Sequence, residues 1–279
     1  MIPVRTYAAY IAHGDGRARL RAQLRDRLRD GALRVLALTR SPTRTSGWIR
    51  FPYYHHVFDD ERSGFARQLD WMRNVGEFLA LDDAVALLQS GQPIPGRFFC
   101  LTFDDGFKNV LSNAAPILDR FGVKATVYVA SAYVGLDPLR DRERLLGFYD
   151  HRQLLLEFLD WTDCRAWIAA GHAVGSHTHT HARLAALDEA GVSVELAGSK
   201  TAIEGETGRP CQHFCAPFGR PGIDYRSERD PDLARLAGYR SFASGRRGPM
   251  TAGGPVYDLS RDHLLANWGN HQLRYFLGD

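Results

Sequence analysis

The sequence predicts an α/β fold, either a (β/α) barrel or an open sheet of parallel strands flanked by helices. Three observations lead to it. About seven apolar segments of strand length alternate with segments of helical period, the succession that strand–helix–strand units require. Phe98-Phe99-Cys100-Leu101-Thr102-Phe103 is apolar or nearly so with no alternation, as in a strand covered on both faces. Finally, the residues with chemical potential follow directly on strand candidates, at the ends where barrels place their function.

At 279 residues and 44% apolar, the chain suits one large domain, or one domain with an extension. A net charge of +3 is too small to argue for a nucleic-acid partner. No run of eighteen apolar residues predicts a transmembrane span. Met1–Arg5 lacks a basic-then-apolar leader, so the expectation is a cytoplasmic protein. Cys100, Cys164, Cys211 and Cys215 are scattered without zinc-finger spacing, which reads as free thiols.

Residues 1–47 are read as a basic helical extension and linker, and 48–279 as the main domain. Ten arginines face three aspartates within residues 1–45, and Leu20, Leu24, Leu28 and Leu33 recur at nearly helical spacing. A basic amphipathic helix over Arg17–Leu38 is therefore expected, packed on the main domain or touching a membrane, a polyanion or another subunit. Ser41–Gly47 is the linker. Phe51–Phe58 is an aromatic strand carrying His55 and His56, which point to opposite faces. Phe65–Val75 is a helix, Phe78–Leu81 a strand, and Asp82–Leu88 a helix capped by Asp82. After the central strand come a helix at 114–121 capped by Gly122, and a strand at 125–130. Residues 138–159 are a mixed insertion without clear chemistry. A helix at 161–170, a short strand at 173–176, a helix at 189–207 and a strand from His213 into Pro217-Phe218-Gly219 follow. A helix at 231–238, a strand at 239–243 and a last strand at 259–265 bearing Arg261 and His263 complete the reading.

The central strand stops on Asp104-Asp105-Gly106. Two adjacent carboxylates at a strand end are costly to bury unless bonded, metal-bound or catalytic. The plain alternative is an Asx turn. His177, His179 and His181 lie within five residues. On a helical turn the first and last share a face, and on a strand all three do, so at least two imidazoles converge. Two imidazoles and one carboxylate leave coordination positions open, as in a catalytic metal site. The second carboxylate is then free to act as a general base towards water.

Thr102-Phe103-Asp104-Asp105-Gly106, His177-Thr178-x-x-His181 and Phe214-x-x-Pro217-Phe218-Gly219 resemble, in order and spacing, the first three motifs of the polysaccharide deacetylase (NodB-homology, carbohydrate esterase family 4-like) family. Tyr54-His55-His56-Val57 and the Gly-Gln-Pro-Ile-Pro turn are similar to the subgroup that deacetylates poly-N-acetylglucosamine. The resemblance spans roughly residues 50–265. It implies a distorted (β/α)7 barrel and metal-dependent hydrolysis of the N-acetyl amide of an amino sugar. It further implies Asp104 as general base, Asp105, His177 and His181 as ligands of one divalent ion (zinc first, with nickel, cobalt or iron(II) as alternatives), and His55 as general acid. Pro217 and Phe218, through a backbone N–H, are implied in holding the oxyanion. His263 competes with His55 for the acid role, and His179 is a spare ligand or substrate contact.

The chain departs from many family members in having Cys215-Ala216 where an arginine braces the base. By analogy with the subgroup, Arg261 takes that place, with Arg240 and Arg246 behind it. Given the expected location, a sugar nucleotide, lipid-linked sugar or small conjugate is a more natural substrate than a secreted polymer. The alternatives are a hydrolase of another amide (a deformylase or non-sugar amidase) on the same metal site, or a non-catalytic carbohydrate-binding relative.

Overall fold

The computed structural model describes residues 2–12, 28–149 and 154–278. Its centre is a curled, all-parallel sheet of seven strands, ordered β10-β2-β5-β6-β7-β8-β9. These strands are β2 (Pro52–Tyr54), β5 (Leu101–Phe103), β6 (Ala125–Val129), β7 (Ala173–Ser176), β8 (His213–Cys215), β9 (Ser241–Ala243) and β10 (Asp262–His263). The outer helices include α3 (Arg62–Arg73), α4 (Leu81–Gln89), α5 (Ala115–Phe121), α7 (Trp161–Ala169), α8 (Glu189–Thr207) and α9 (Asp230–Leu236). Every residue of β2, β5, β6, β8 and β9 is buried, which is why none of these strands alternates in sequence. Leu259 bridges to Ala243 at one edge, and three residues later β10 pairs with β2 at the other. The segment between them therefore spans the gap in the wall. This is the distorted (β/α)7 barrel expected from the sequence.

A small second sheet, β1 (Trp48–Arg50), β4 (Arg97–Phe99) and β3 (Glu77–Phe78), corrects the sequence reading in one respect. The run Phe98–Phe103 is not one strand. It breaks at Cys100, whose N–H donates to the Arg50 carbonyl (2.9 Å), and passes from the small sheet into the barrel. The neighbouring chain makes the same move at Phe51 between β1 and β2. Because both halves are buried, hydrophobicity carries no mark of the break.

Other expectations shift locally. Asp82 is not the cap of α4. Ala80 holds that position, and the Asp82 carboxylate instead lies 3.1 Å from His213 and 3.2 Å from Arg240. Of the basic helix expected over Arg17–Leu38, residues 17–27 lie outside the described residues. Residues 28–37 are helical (α2), burying Leu33 and Ala37 while Leu28 is 68% exposed. The segment is tied to α10 (Asn270–Leu277), a helix not foreseen from sequence, by Asp30–His271 at 2.6 Å and by Arg274 donating to the Arg40 carbonyl. The insertion at 138–159 contains α6 (Arg142–Leu146) and supplies Phe148, Leu154, Leu155, Leu156 and Phe158 to a separate apolar cluster with Phe58 and Phe107. A further short helix, α1 (Tyr7–Ile11), packs against that cluster through Tyr7 and Tyr10. All four cysteines are free and buried. No helix among the described residues is long and apolar enough to cross a membrane.

Gly175 in β7 allows close approach of its neighbours. A Cβ there would sit 2.5 Å from the Tyr128 ring and 2.9 Å from the His213 carbonyl oxygen. Gly175→Ala is expected to cost about 1–3 kcal/mol through overpacking. A thermal melt checks this, and an unchanged Tm would contradict the tight seam between β6, β7 and β8.

Candidate active site

The site forms where β2, β5, β7 and β8 end and the chain turns outward. Among the described residues, the only non-glycine positions with positive φ are Asp105 (73°), Thr178 (64°), His181 (62°) and Phe218 (62°). All four belong to these turns. A β-branched residue such as Thr178 enters this region at a cost of order 1–3 kcal/mol, so the surrounding structure must hold it there. Strain of this kind concentrated in one place marks a site whose geometry is imposed. Asp104-Asp105-Gly106 is thus both a turn and a site.

The two carboxylates face different partners. Asp104 is buried and takes two parallel hydrogen bonds from Arg261: Nη1 to Oδ1 at 2.7 Å and Nη2 to Oδ2 at 2.8 Å. Arg261 is itself 2% exposed. It also donates to the Ser244 carbonyl (2.9 Å) and the Thr102 hydroxyl (3.3 Å), and its guanidinium lies 4.1 Å over the Tyr53 ring. The arginine beside Asp104 is therefore Arg261. Arg240 instead pairs with Asp82, and Arg246 with Asp258. Burial opposes the Asp104 charge, but Arg261 outweighs it and holds the carboxyl below the usual carboxylate range.

Asp105 turns towards two imidazoles. Its Oδ1 lies 3.4 Å from His177 Nε2 and 3.3 Å from His181 Nε2. Ligands held about 2.1 Å from one ion at tetrahedral angles are about 3.4 Å apart, so Asp105 is spaced from each imidazole as a ligand on a shared centre would be, and the three donor atoms all lie within 4.8 Å of one another. His177 Nδ1 is 2.8 Å from the Cys215 carbonyl, to which it donates, leaving Nε2 as the ring nitrogen that faces the cluster. The burial of Asp105 is offset by His177 and His181, which keep its carboxyl well below the ordinary range. A second group, Asp104, His177 and Cys215, also gathers within ligand reach. It suits a cation less well. Both Asp104 oxygens are occupied by Arg261, and burial raises the Cys215 thiol, which favours its protonated form.

His55 and His56 separate as expected. His55 approaches Tyr53 and His263, with ring centroids at 5.6 and 5.0 Å. His56 is stacked between Phe58 (4.5 Å) and Phe107 (4.1 Å) and bonded to Asn109 and Tyr149. Burial, with His55 alongside, pushes His263 down to about 3, and its buried Nε2 has no hydrogen-bond partner among the described residues. His179 does not join the cluster. Its Nδ1 bonds the Ser131 hydroxyl at 2.8 Å, because the turn at Thr178 sends it away from His177. Phe218, 47% exposed, closes the other flank, 4.9 Å from the His181 ring and under the Arg183 guanidinium at 4.4 Å. Pro217 precedes it in the turn.

Sequence reasoning missed several neighbours. Phe148, from the insertion thought to lack chemistry, stacks on His181 at 4.5 Å. Tyr53 backs Arg261, and the Cys215 carbonyl orients His177. None carries a local signal, since each acts through a contact distant in sequence.

The Arg261–Asp104 pair makes a pH-dependent prediction. Arg261→Met strands a buried carboxylate, at a cost of about 3–5 kcal/mol near neutral pH. In the wild type the Asp104 pKa lies below its unfolded value, so the pair's contribution is complete above that value and is lost only as pH falls through the folded one. In the variant the unpaired carboxyl titrates above its unfolded value, so its penalty shrinks on acidification. Urea unfolding of metal-free protein is expected to show the wild-type–variant gap narrowing from pH 7 to pH 4. A constant gap would contradict the pairing.

The family model described as polysaccharide deacetylase matches residues 91–241. A chitin deacetylase of Pestalotiopsis sp is 31% identical over 120 residues, covering 43% of this chain and 34% of that protein. The chain thus spans about a third of that relative. The Bacillus subtilis (strain 168) protein YxkH is 21% identical over 231 residues, 78% of this chain and 74% of its own length. Among solved structures, the Streptococcus pyogenes deacetylase PplD, determined with acetate, superposes with a TM-score of 0.66 at 20% identity, covering 84% of this chain and 99% of that one. A de-N-acetylase from Aggregatibacter actinomycetemcomitans gives 0.67 at 15% identity over 82% and 99%. IcaB from Ammonifex degensii gives 0.65 at 19% over 83% and 97%. At these identities the structures share the fold, while the family model covers more than half of the 279 residues. The chain belongs to the polysaccharide deacetylase family.

Proposed function

We propose that this protein is a metal-dependent hydrolase that removes the N-acetyl group of an amino sugar. The observation that carries the reading is the division of labour between adjacent carboxylates. Asp105 shares a tetrahedral-edge spacing with His177 and His181, while Asp104 is locked by Arg261 a residue away. Two imidazoles and a carboxylate suit zinc, and also nickel, cobalt or iron(II). Asp105, His177 and His181 would hold such an ion, which would supply Lewis acidity to the site.

The residues of the chain supply the rest. Asp104, ionised and fixed in orientation by Arg261, takes a proton from the attacking water. The backbone N–H at Phe218, in the strained Pro217-Phe218-Gly219 turn, faces the developing oxyanion. His55 delivers a proton to the departing nitrogen. His263 is the poorer acid, because at about 3 it is neutral at physiological pH. It instead packs against His55 and helps to set that ring's position.

Metal analysis by mass spectrometry of protein purified without chelators is expected to find about one divalent ion per chain, and His181→Ala to lose it. Retained metal would refute the ligand set. Asp104→Asn is expected to keep the ion while acetate release falls about 10²–10⁴-fold. The same assay separates the histidines: His55→Gln is expected to lose most turnover and His263→Gln to keep most of it. The reverse order would transfer the acid role to His263.

A further inference from the structure

Helix α2 carries two apolar faces, and the barrel covers one of them. Leu33 and Ala37, four residues apart, are buried, and Asp30 on that side is bonded to His271 of α10. Leu28, Ala32, Val35 and Leu36 stand at i, i+4, i+7 and i+8, the spacing of a second apolar stripe. All four are exposed, Leu28 by 68%, Val35 by 66% and Leu36 by 48%, and Leu38 just past the helix by 73%. At about 100° per residue the stripe fills an arc of roughly 100°, and Arg29 and Arg34 fall on opposite sides of it. Residues 28–44 hold Arg29, Arg34, Arg40 and Arg44 against Asp30 alone, and Asp30 is already bonded to His271 and Arg34. The Arg40 guanidinium lies 5.6 Å over the Tyr275 ring of α10. Arg29, Asp30 and Leu33 line a cavity of about 230 Å³ together with Leu265 and Trp268, which follow His263 in the chain. The helix therefore stands at the end of the barrel where the strands finish and the site lies.

We propose that the outward face of α2 is a docking surface for an anionic lipid bilayer. The helix lies in the plane of the interface, with its apolar stripe among the first acyl carbons and its arginines at the phosphates. An arginine suits the border of such a stripe, because its long stem is apolar and its tip charged. Single exposed aliphatic side chains are ordinary on a protein surface, but Leu28, Val35, Leu36 and Leu38 fall within eleven residues. Charge selects the occupant. A second copy of the chain, meeting this face across a two-fold axis, would set the same arginines against one another. A nucleic acid offers phosphates but no hydrocarbon to cover the stripe. A membrane carrying acidic lipids offers both negative charge and hydrocarbon, side by side. The inference stands on the geometry of α2 and does not depend on the deacetylase reading. Its consequence is that attachment through α2 holds the catalytic end of the barrel beside the lipid surface.

The test is sedimentation of the full-length protein with vesicles of phosphatidylcholine alone and of phosphatidylcholine mixed with phosphatidylglycerol. Binding to the mixed vesicles is expected to be about tenfold tighter or more, and to weaken as salt is added. Two double variants divide the surface into its parts. Val35→Gln with Leu36→Gln removes the stripe, and Arg29→Gln with Arg34→Gln removes its charged borders. Each is expected to weaken vesicle binding about tenfold, while the Tm and acetate release from a soluble N-acetyl sugar stay at wild-type values. Leu38→Gln, beyond the end of the helix, repeats the measurement where no packing of α2 is at stake, and is expected to weaken binding about threefold. Equal affinity for the two kinds of vesicle, or no binding to either, would overturn the proposal. So would binding that survives the Val35 and Leu36 substitutions, which would place the attraction elsewhere in the chain. A dimer in analytical ultracentrifugation that the same substitutions dissociate would assign the face to a second copy and overturn it too.

Discussion

The structure turns on one buried ion pair. Arg261 and Asp104 are 157 positions apart, both nearly inaccessible, and joined by two parallel hydrogen bonds. A carboxylate buried without a partner would take up a proton. A guanidinium buried without a partner would be costlier still. Each therefore requires the other, and together they require the segment Leu259–His263 to close the barrel wall between β9 and β2. That closure also puts His263 beside His55 and delivers the Arg261 side chain to the Tyr53 ring. Fold and chemistry thus meet in the same few residues.

The arrangement separates two tasks that adjacent carboxylates would otherwise share. Asp104, the residue after β5, pairs with Arg261. Asp105, at φ 73°, turns its side chain to the imidazoles. Thr178 and His181 make corresponding turns from β7, and Phe218 from β8. The strain in these turns positions the side chains before any ligand arrives, and the core of the barrel opposes it. Cys215 shows how an unusual residue fits. Its carbonyl orients His177 while burial keeps its thiol protonated in the core, and Arg261 supplies the cation from another strand.

Much of this was legible in sequence, and the exceptions have physical reasons. Asp104-Asp105-Gly106 and His177-x-x-x-His181 were readable because their chemistry depends on neighbours a few residues apart. Arg261 could be singled out only by resemblance, since an ion pair across 157 residues leaves no local pattern. The break at Cys100 was invisible because both halves of the run are buried. The positive φ of Thr178 was equally hidden, since a β-branched residue does not announce a left-handed turn, and with it the departure of His179 from the cluster. The five residues of α1 are too few to establish a period, yet they place two tyrosines beside the imidazoles.

The central claim is that Asp105, His177 and His181, and not the neighbouring group containing Cys215, hold the ion. X-ray absorption spectroscopy of zinc-loaded protein tests it directly. The account predicts a first shell of nitrogen and oxygen alone at about 2.0–2.2 Å, with the multiple-scattering signature of two imidazoles. A sulfur contribution at about 2.3 Å would move the ion to Cys215 and contradict the assignment.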